Sequence, residues 1–324
     1  MKKNLIALAL MSVAVPVSAY DIINNETAYL DIYGEIRARA FIFDNSDNEY
    51  TFGDSKLGVD ARYAVTDTTR ILALVEGEIN WDADESLDQD ELFFSKHYIG
   101  VQHEALGDLT FGKHSTASDD LGGVDYSEAF GGIAELNPIG QHESGIKYRY
   151  TSELFTVETI YGDEDGDLDR DLFELYGEYI VLGDIRLRAG FGKSSTNLSN
   201  DQRDDTYFMA GAEVARGDVT YGASYYNRDT NNNLISSNDV QSNALAVAAR
   251  MEVVEKLFGY AGYEYIHQNS DADNLDGSIN LAYLGTKYEI VDWASVFAEI
   301  SFKNDEVASE EDETNLALGA TVTF

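Results

Sequence analysis

Asn315-Leu316-Ala317-Leu318-Gly319-Ala320-Thr321-Val322-Thr323-Phe324 ends the chain. Its even positions are apolar and its odd positions small or polar. Side chains on a strand point to opposite faces with period two, so this strand has one oily face and one wettable face. It closes on a free aromatic, which a water-soluble domain rarely leaves at its end.

The same alternation recurs upstream. Leu30, Ile32, Gly34, Ile36, Ala38, Ala40 and Ile42 oppose Asp31, Tyr33, Glu35, Arg37 and Arg39. Leu57, Val59, Ala61, Tyr63 and Val65 oppose Asp54, Lys56, Gly58, Asp60 and Arg62. Ile71, Ala73, Val75, Gly77 and Ile79 oppose Arg70, Glu76, Glu78 and Asn80, and Val296, Ala298, Ile300 and Phe302 oppose Glu299 and Lys303. About sixteen such stretches are read, at 28–43, 52–65, 69–81, 91–104, 107–113, 142–151, 154–162, 171–182, 184–193, 204–216, 217–228, 240–252, 256–268, 277–289, 292–303 and 313–324, the segment 277–289 being ambiguous in parity. The fold class expected is all-β, a transmembrane antiparallel β-barrel of about sixteen strands.

Composition agrees. The longest wholly apolar run in the mature chain is 244–249, far below the ~20 residues a spanning helix needs. A barrel crosses with half-polar strands of about 9–11 residues, which reconciles a membrane protein with a mean hydropathy of -0.29. Only Pro16 and Pro138 are prolines, as unbroken ladders require. Tyrosine (21) far outnumbers tryptophan (2), as rings at two membrane–water boundaries would. No cysteine is present, which excludes disulfides and thiolate metal sites.

Lys2 and Lys3, the apolar stretch Leu5 to Val15 and the small residues Val17-Ser18-Ala19 read as a secretory leader. Residues 1–19 are expected to be removed, leaving 20–324 as the barrel. The net charge is -37. Loss of the leader takes two lysines and no acid, so twenty basic residues face 59 acidic ones and the mature charge is -39. Such a surface repels nucleic acid and favours cations in enclosed water.

Short turns at Thr66-Asp67-Thr68, Ser152-Glu153, Gly183, Gly217 and Val291 alternate with longer polar loops. Two of these are crowded with acids: Asp82, Asp84, Glu85, Asp88 and Asp90, then Asp305, Glu306, Glu310, Glu311, Asp312 and Glu313. The longest connection is 114–141. It carries Asp119, Asp120, Gly122-Gly123, Asp125-Tyr126-Ser127-Glu128 and Ala129-Phe130-Gly131-Gly132. A loop of this length is functional or disordered, and an aromatic with four glycines argues for a packed, sharply turned one.

Here the chain resembles the general (diffusion) porins of the Gram-negative outer membrane. Gly107-Asp108-Leu109-Thr110-Phe111-Gly112-Lys113 stands where that family ends its fifth strand in a Gly-x-x-x-x-Gly-Arg pattern. Asp125 and Phe130-Gly131-Gly132 follow in its third loop. Leu30-Asp31-Ile32-Tyr33-Gly34 and Lys56-Leu57-Gly58 resemble its first two strands. The resemblance implies a homotrimer in outer-membrane lipid and lipopolysaccharide, a third loop folded inward, and recognition of Phe324 by the barrel-assembly machinery. It also implies loop acids facing wall cations across a narrow waist. On the acidic side stand Asp125 by match, Glu128 one position from the family's second acid, and Asp119 and Asp120. On the basic side Lys56 and Lys113 replace family arginines, and alternation adds Arg37, Arg39, Arg62, Lys147 and Arg149. Phe130, Gly131 and Gly132 are the packing residues of the loop.

The departures bear on charge. The family's wall arginine on strand six falls near Gln141 or His142, and Glu35 replaces a lysine of some relatives. Glu35, Asp60, Glu76, Glu78, Glu174, Glu178 and Glu299 share the lumen face. The function expected is therefore passive diffusion of small hydrophilic solutes and ions with a preference for cations. The alternatives are a substrate-selective (for example oligosaccharide) porin with Tyr33, Tyr98 and Tyr176 as an aromatic track, or a barrel enzyme or adhesin.

His142-x-Ser144 echoes an outer-membrane phospholipase pair, but Glu143-Ser144-Gly145 lacks that family's Ser-Asn-Gly, and no oriented base or oxyanion site accompanies it. No catalytic residue is assigned. Asp163, Asp165, Asp167 and Asp169 have offsets that allow weak Ca²⁺ binding, though the glycine is misplaced for a calcium loop and a solvated acidic loop is the simpler reading. The other histidines (97, 103, 114 and 267) do not cluster, no phosphate-binding glycine loop or basic patch is present, and no cofactor is expected.

Overall fold

The computed structural model describes residues 20–81, 90–164, 169–181, 183–198, 201–232, 239–272, 275–307 and 312–324. The leader at 1–19 lies outside the described residues, as do Asp82, Asp84, Glu85, Asp88, Asp165, Asp167, Glu310 and Glu311.

The strands are β1 (Tyr20–Asn24), β2 (Ala28–Ile42), β3 (Glu49–Thr51), β4 (Ser55–Ala64), β5 (Thr69–Trp81) and β6 (Asp90–His103). They continue as β7 (Gly107–Ser115), β8 (Gln141–Thr151), β9 (Phe155–Glu164), β10 (Arg170–Val181), β11 (Ile185–Leu198) and β12 (Asp201–Arg216). The last are β13 (Val219–Asn232), β14 (Val240–Val254), β15 (Leu257–Ser270), β16 (Gly277–Val291), β17 (Ala294–Asp305) and β18 (Glu313–Thr323). Sixteen of them, β2 and β4–β18, form one antiparallel ring in which each strand pairs with the next, and β18 returns to β2 from Leu316↔Ile42 to Thr323↔Glu35. Hydrocarbon offers no partner to an unpaired amide, and ring closure leaves no free edge to need one.

β2 is the seam. One of its edges holds β18 and, further along, β1, with Tyr20 opposite Ile32. Phe324 sits between them, exchanging backbone hydrogen bonds with Gly34 (2.8 and 2.9 Å). A Cβ at Gly34 would lie 2.5 Å from the Phe324 ring, so only glycine admits the terminal aromatic there. The other edge of β2 holds β4 and the short β3.

Alternation is realised as expected. Ile36, Leu57, Ile99, Phe111, Ile146 and Leu284 are exposed on the outer, lipid-facing surface. Charged residues of the opposite parity face the lumen. The strands run beyond the alternating segments where polar residues continue the ladder: β11 and β12 stay paired to Leu198↔Asp201, so the loop expected between 193 and 204 is a hairpin.

Strand β16 explains its own ambiguity. Leu284, Tyr288 and Ile290 are exposed outward, yet Leu281 and Tyr283, of the opposite parity, are buried beneath Tyr126 and Ile133 of the long loop. Both faces are apolar because both are covered. The same holds for Ile160, Leu172, Met209 and Ile266, which join Ala117, Leu121 and Ala134 of the loop in a second core inside the barrel.

Candidate functional site

Segment 116–140 leaves β7, enters the lumen and returns to β8. It is not wholly irregular, as expected from sequence, but opens with one helical turn, α1 (Ala117–Asp120). Thr116 caps the turn, and its backbone amide and hydroxyl bind Gly140 and Ile139 carbonyls (2.9 and 3.1 Å), which closes the neck of the loop.

Three wall glutamates then grip the loop backbone. Glu174 on β10 accepts from the Ser118 amide (2.9 Å) and hydroxyl (2.7 Å). Glu264 on β15 accepts from the Gly132 and Ala134 amides (2.7 and 2.6 Å). Glu299 on β17 accepts from the Ser127 hydroxyl (2.5 Å) and the Glu128 and Phe130 amides (2.8 and 3.0 Å). All three are buried. A buried carboxylate must be satisfied, and loop amides supply the donors. Glu174 and Glu299, read from sequence as lining the water, are instead anchors beneath the loop.

Gly132, at φ +87°, takes the left-handed turn that brings the returning chain to Glu264. Gly131 leaves room for the Asp125 carboxylate, 2.5 Å from where its Cβ would be. Phe130 meets Phe41 edge-on at 5.7 Å.

The four loop acids fall in different settings. Asp120 accepts from Lys147 Nζ (2.7 Å) and Ser115 Oγ (2.8 Å), with Arg149 Nη1 at 3.7 Å. Burial opposes its charge, but Lys147 and the hydroxyl outweigh it and hold the carboxyl below its ordinary range. The Asp119 carboxyl is pushed above its ordinary range, first by desolvation among its neighbours and then by the adjacent Asp120. Asp125 is tied to Tyr283 (2.8 Å) and the Ser127 amide (2.8 Å), and Glu128 to Lys287 Nζ (2.7 Å). The structure thus separates Asp125 and Glu128, at the loop tip on β16, from Asp119 and Asp120 beside β8.

On the wall, each of the cations expected from sequence stands beside an acid. Arg37 pairs with Glu35, Arg39 with Asp54 and Arg62 with Asp60 (2.6 Å). Lys56 lies in register between Glu35 and Glu78. Lys147 and Arg149 share Asp120 with Glu158 (2.6 and 3.2 Å). Lys113 pairs instead with Glu143, with Phe93 beneath its ammonium.

Sequence reading missed the anchor Glu264 as well as Glu158, Lys287 and Lys96, the last paired with Glu76 at 3.4 Å. Parity on β9 was enough to find Glu158. Lys287 was hidden by the ambiguous β16. Lys96 was hidden by an irregularity at Ser95, where register shifts between Glu76↔Lys96 and Gly77↔Phe94. Of the proposed aromatic track, Tyr176 is buried under the loop, which leaves Tyr33 and Tyr98.

Neither His142 nitrogen faces the Ser144 hydroxyl. Nδ1 accepts from the Ser144 amide (3.3 Å), and Nε2 lies 3.2 Å from the Arg170 carbonyl. Asp163 sits on β9 and Asp169 before β10, while Asp165 and Asp167 between them lie outside the described residues.

Glu135 carries a pH dependence. Burial, reinforced by the carboxylates of Asp125, Asp119 and Glu264, pushes it from 4.5 up to about 7. A carboxyl with a raised folded value binds protons the unfolded chain does not, so docking of the loop weakens as pH rises through that window. Glu135→Gln should therefore raise the thermal-unfolding midpoint in mild detergent at pH 8 by an amount equivalent to at most about 3 kcal/mol, and leave it unchanged at pH 4. Equal effects at both pH values would refute the assignment.

The profile of Gram-negative porins matches residues 6–321. The chain is 25% identical over 329 residues to a major outer membrane protein of Pasteurella multocida, covering 92% of each. Among solved structures it resembles the trimer form of OmpT, an outer membrane protein of Vibrio cholerae, at 28% identity with a TM-score of 0.79, covering 92% of this chain and 100% of that one. The anion-selective porin from Comamonas acidovorans shares the fold at 13% identity, with a TM-score of 0.74 over 92% of this chain and 100% of that one. With the closed barrel and inward loop, these matches show that the chain belongs to the Gram-negative porin family and resides in the outer membrane.

Proposed function

We propose that this protein is a passive diffusion channel for small hydrophilic solutes and ions, prefers cations, works as a homotrimer and is a channel rather than an enzyme. In this reading residues 1–19 are a removed leader and 20–324 the barrel. The trimer rests on the likeness to the trimeric OmpT form. Phe324 at the seam is the strand end the assembly machinery would meet, and the acidic outer loops would face lipopolysaccharide.

One observation carries the preference for cations. The loop is pinned over β9–β17 and otherwise touches Phe41 on β2 and Lys147 on β8, which leaves most of the wall of β2 and β4–β8 open. There Arg37, Arg39, Lys56, Arg62, Lys96, Lys113, Lys147 and Arg149 each have an acid beside them, while Arg70 forms no ion pair among the described residues. Asp119 and Asp108 have no cation within ion-pair distance among the described residues. The open lining is thus net negative, and enclosed water concentrates cations. An anion-selective porin with the same fold means that side chains, not architecture, set the sign.

Planar-bilayer recording in a KCl gradient tests this. The wild type should show steady conductance and a reversal potential on the potassium side of zero. Asp119→Asn with Glu128→Gln, which also frees Lys287, should move it toward chloride. A closed lumen or a chloride-preferring wild type would refute the proposal. Liposome swelling with a sugar series separates a general channel from a sugar-selective one.

A further inference from the structure

We infer that the open half of the lumen contains a weak subsite for small zwitterionic solutes with an apolar body, the class of an amino acid or dipeptide with a leucine-like side chain. The inference rests on the channel reading above and specifies what that channel holds in passage.

Apolar side chains that point inward on β9, β10, β12, β15 and β16 are packed under the loop. Leu72 and Leu74 on β5 also point inward, opposite the exposed Ile71 and Val75, but belong to neither core cluster. They stand on the part of the wall that the loop does not cover, Leu72 buried and Leu74 half-buried, and floor a cavity of about 190 Å³ between β5 and α1. A hydrated ion or sugar makes no use of such a floor. A solute with a hydrocarbon side chain removes it from water.

The side wall of the cavity is a stacked pair, Tyr98 and His114, with ring centroids 4.5 Å apart. His114 is only 2% exposed, lines the cavity, and its Nε2 has no hydrogen-bond partner. A buried polar atom without a partner is a cost that a bound solute's polar group would relieve.

The rim carries both signs. The guanidiniums of Arg62 and Arg149 are 36% and 45% exposed, and their present acids leave N–H groups of each unused. Asp60 and Asp108 line the same cavity. A carboxylate can therefore meet a guanidinium while an ammonium meets a carboxylate, with the side chain on Leu72 and Leu74. A solute with a single charge satisfies only half of this rim. A second cavity shares Gln102, Asp108 and Arg149 and reaches the turn residues Asp67, Thr68 and Glu104, so the subsite opens toward the short-turn end of the barrel.

The test is current block in bilayers containing the full barrel, each channel referred to its own KCl conductance. Glycyl-leucine should block at about tenfold lower concentration than glycylglycine. N-acetyl-glycyl-leucine and glycyl-leucinamide, which each lack one charge, should block less than the parent dipeptide. Leu74→Asn should remove the advantage of glycyl-leucine. Equal block by the two dipeptides in the wild type overturns the inference without reference to any variant. So does equal block by the singly charged analogues, or a leucine advantage that survives Leu74→Asn. A wild type that conducts but shows none of these preferences leaves the channel reading standing, whereas a barrel with no conductance removes both.

Discussion

Replacing Glu264 and Glu299 together by alanine should unpin the inward loop and leave the barrel closed. The pair accepts five hydrogen bonds from residues 127–134, at 2.5–3.0 Å. Bonds to a charged acceptor contribute about 1.5–3 kcal/mol each, and donors left buried without partners add to the loss. The ring does not depend on either carboxylate, since its ladder is backbone. The double variant should still migrate as a folded, heat-modifiable barrel. Its single-channel current should become noisy, and residues 122–136 should become open to added protease. Protection of that segment at the wild-type level would refute the clamp.

Gly34→Val should prevent assembly. The new Cβ would lie 2.5 Å from the Phe324 ring and 2.9 Å from the Lys56 carbonyl. Overpacking of this kind costs about 1–3 kcal/mol in an ordinary core. At the seam it also displaces the residue whose backbone bonds complete the edge of β2. Folded protein recovered from outer membranes should fall at least about tenfold. Gly177→Ala, whose Cβ would meet nothing nearer than 3.4 Å, should assemble normally. Normal recovery of Gly34→Val would show that the terminal aromatic is not held there.

The ring was legible because membrane strands obey a simple rule: one parity meets lipid and the other water. Segments such as 28–43 and 69–81 obey it and became β2 and β5 nearly residue for residue. The rule fails where its premise fails. On β16 the loop replaces water, so Leu281 and Tyr283 break the pattern. At Ser95 an irregularity shifts the register and hides Lys96. Acidic residues were legible as lumen-facing but not in their roles. Glu174, Glu264 and Glu299 look like Glu76 or Asp60 in sequence, and only the path of the loop makes the first three anchors. Short β1 and β3 carry too few residues to show a period.

The inner wall is therefore divided. Around β9–β16 a lumen position is as constrained as any interior site of a soluble domain, because a folded segment lies on it. Around β4–β6 no hydrogen bond or ion pair to the loop is seen among the described residues, and a lumen position answers to water, its wall neighbours and passing solutes. Substitutions can accumulate on that second arc without endangering the architecture, so what the channel admits is free to diverge between lineages while the half that holds the loop stays fixed.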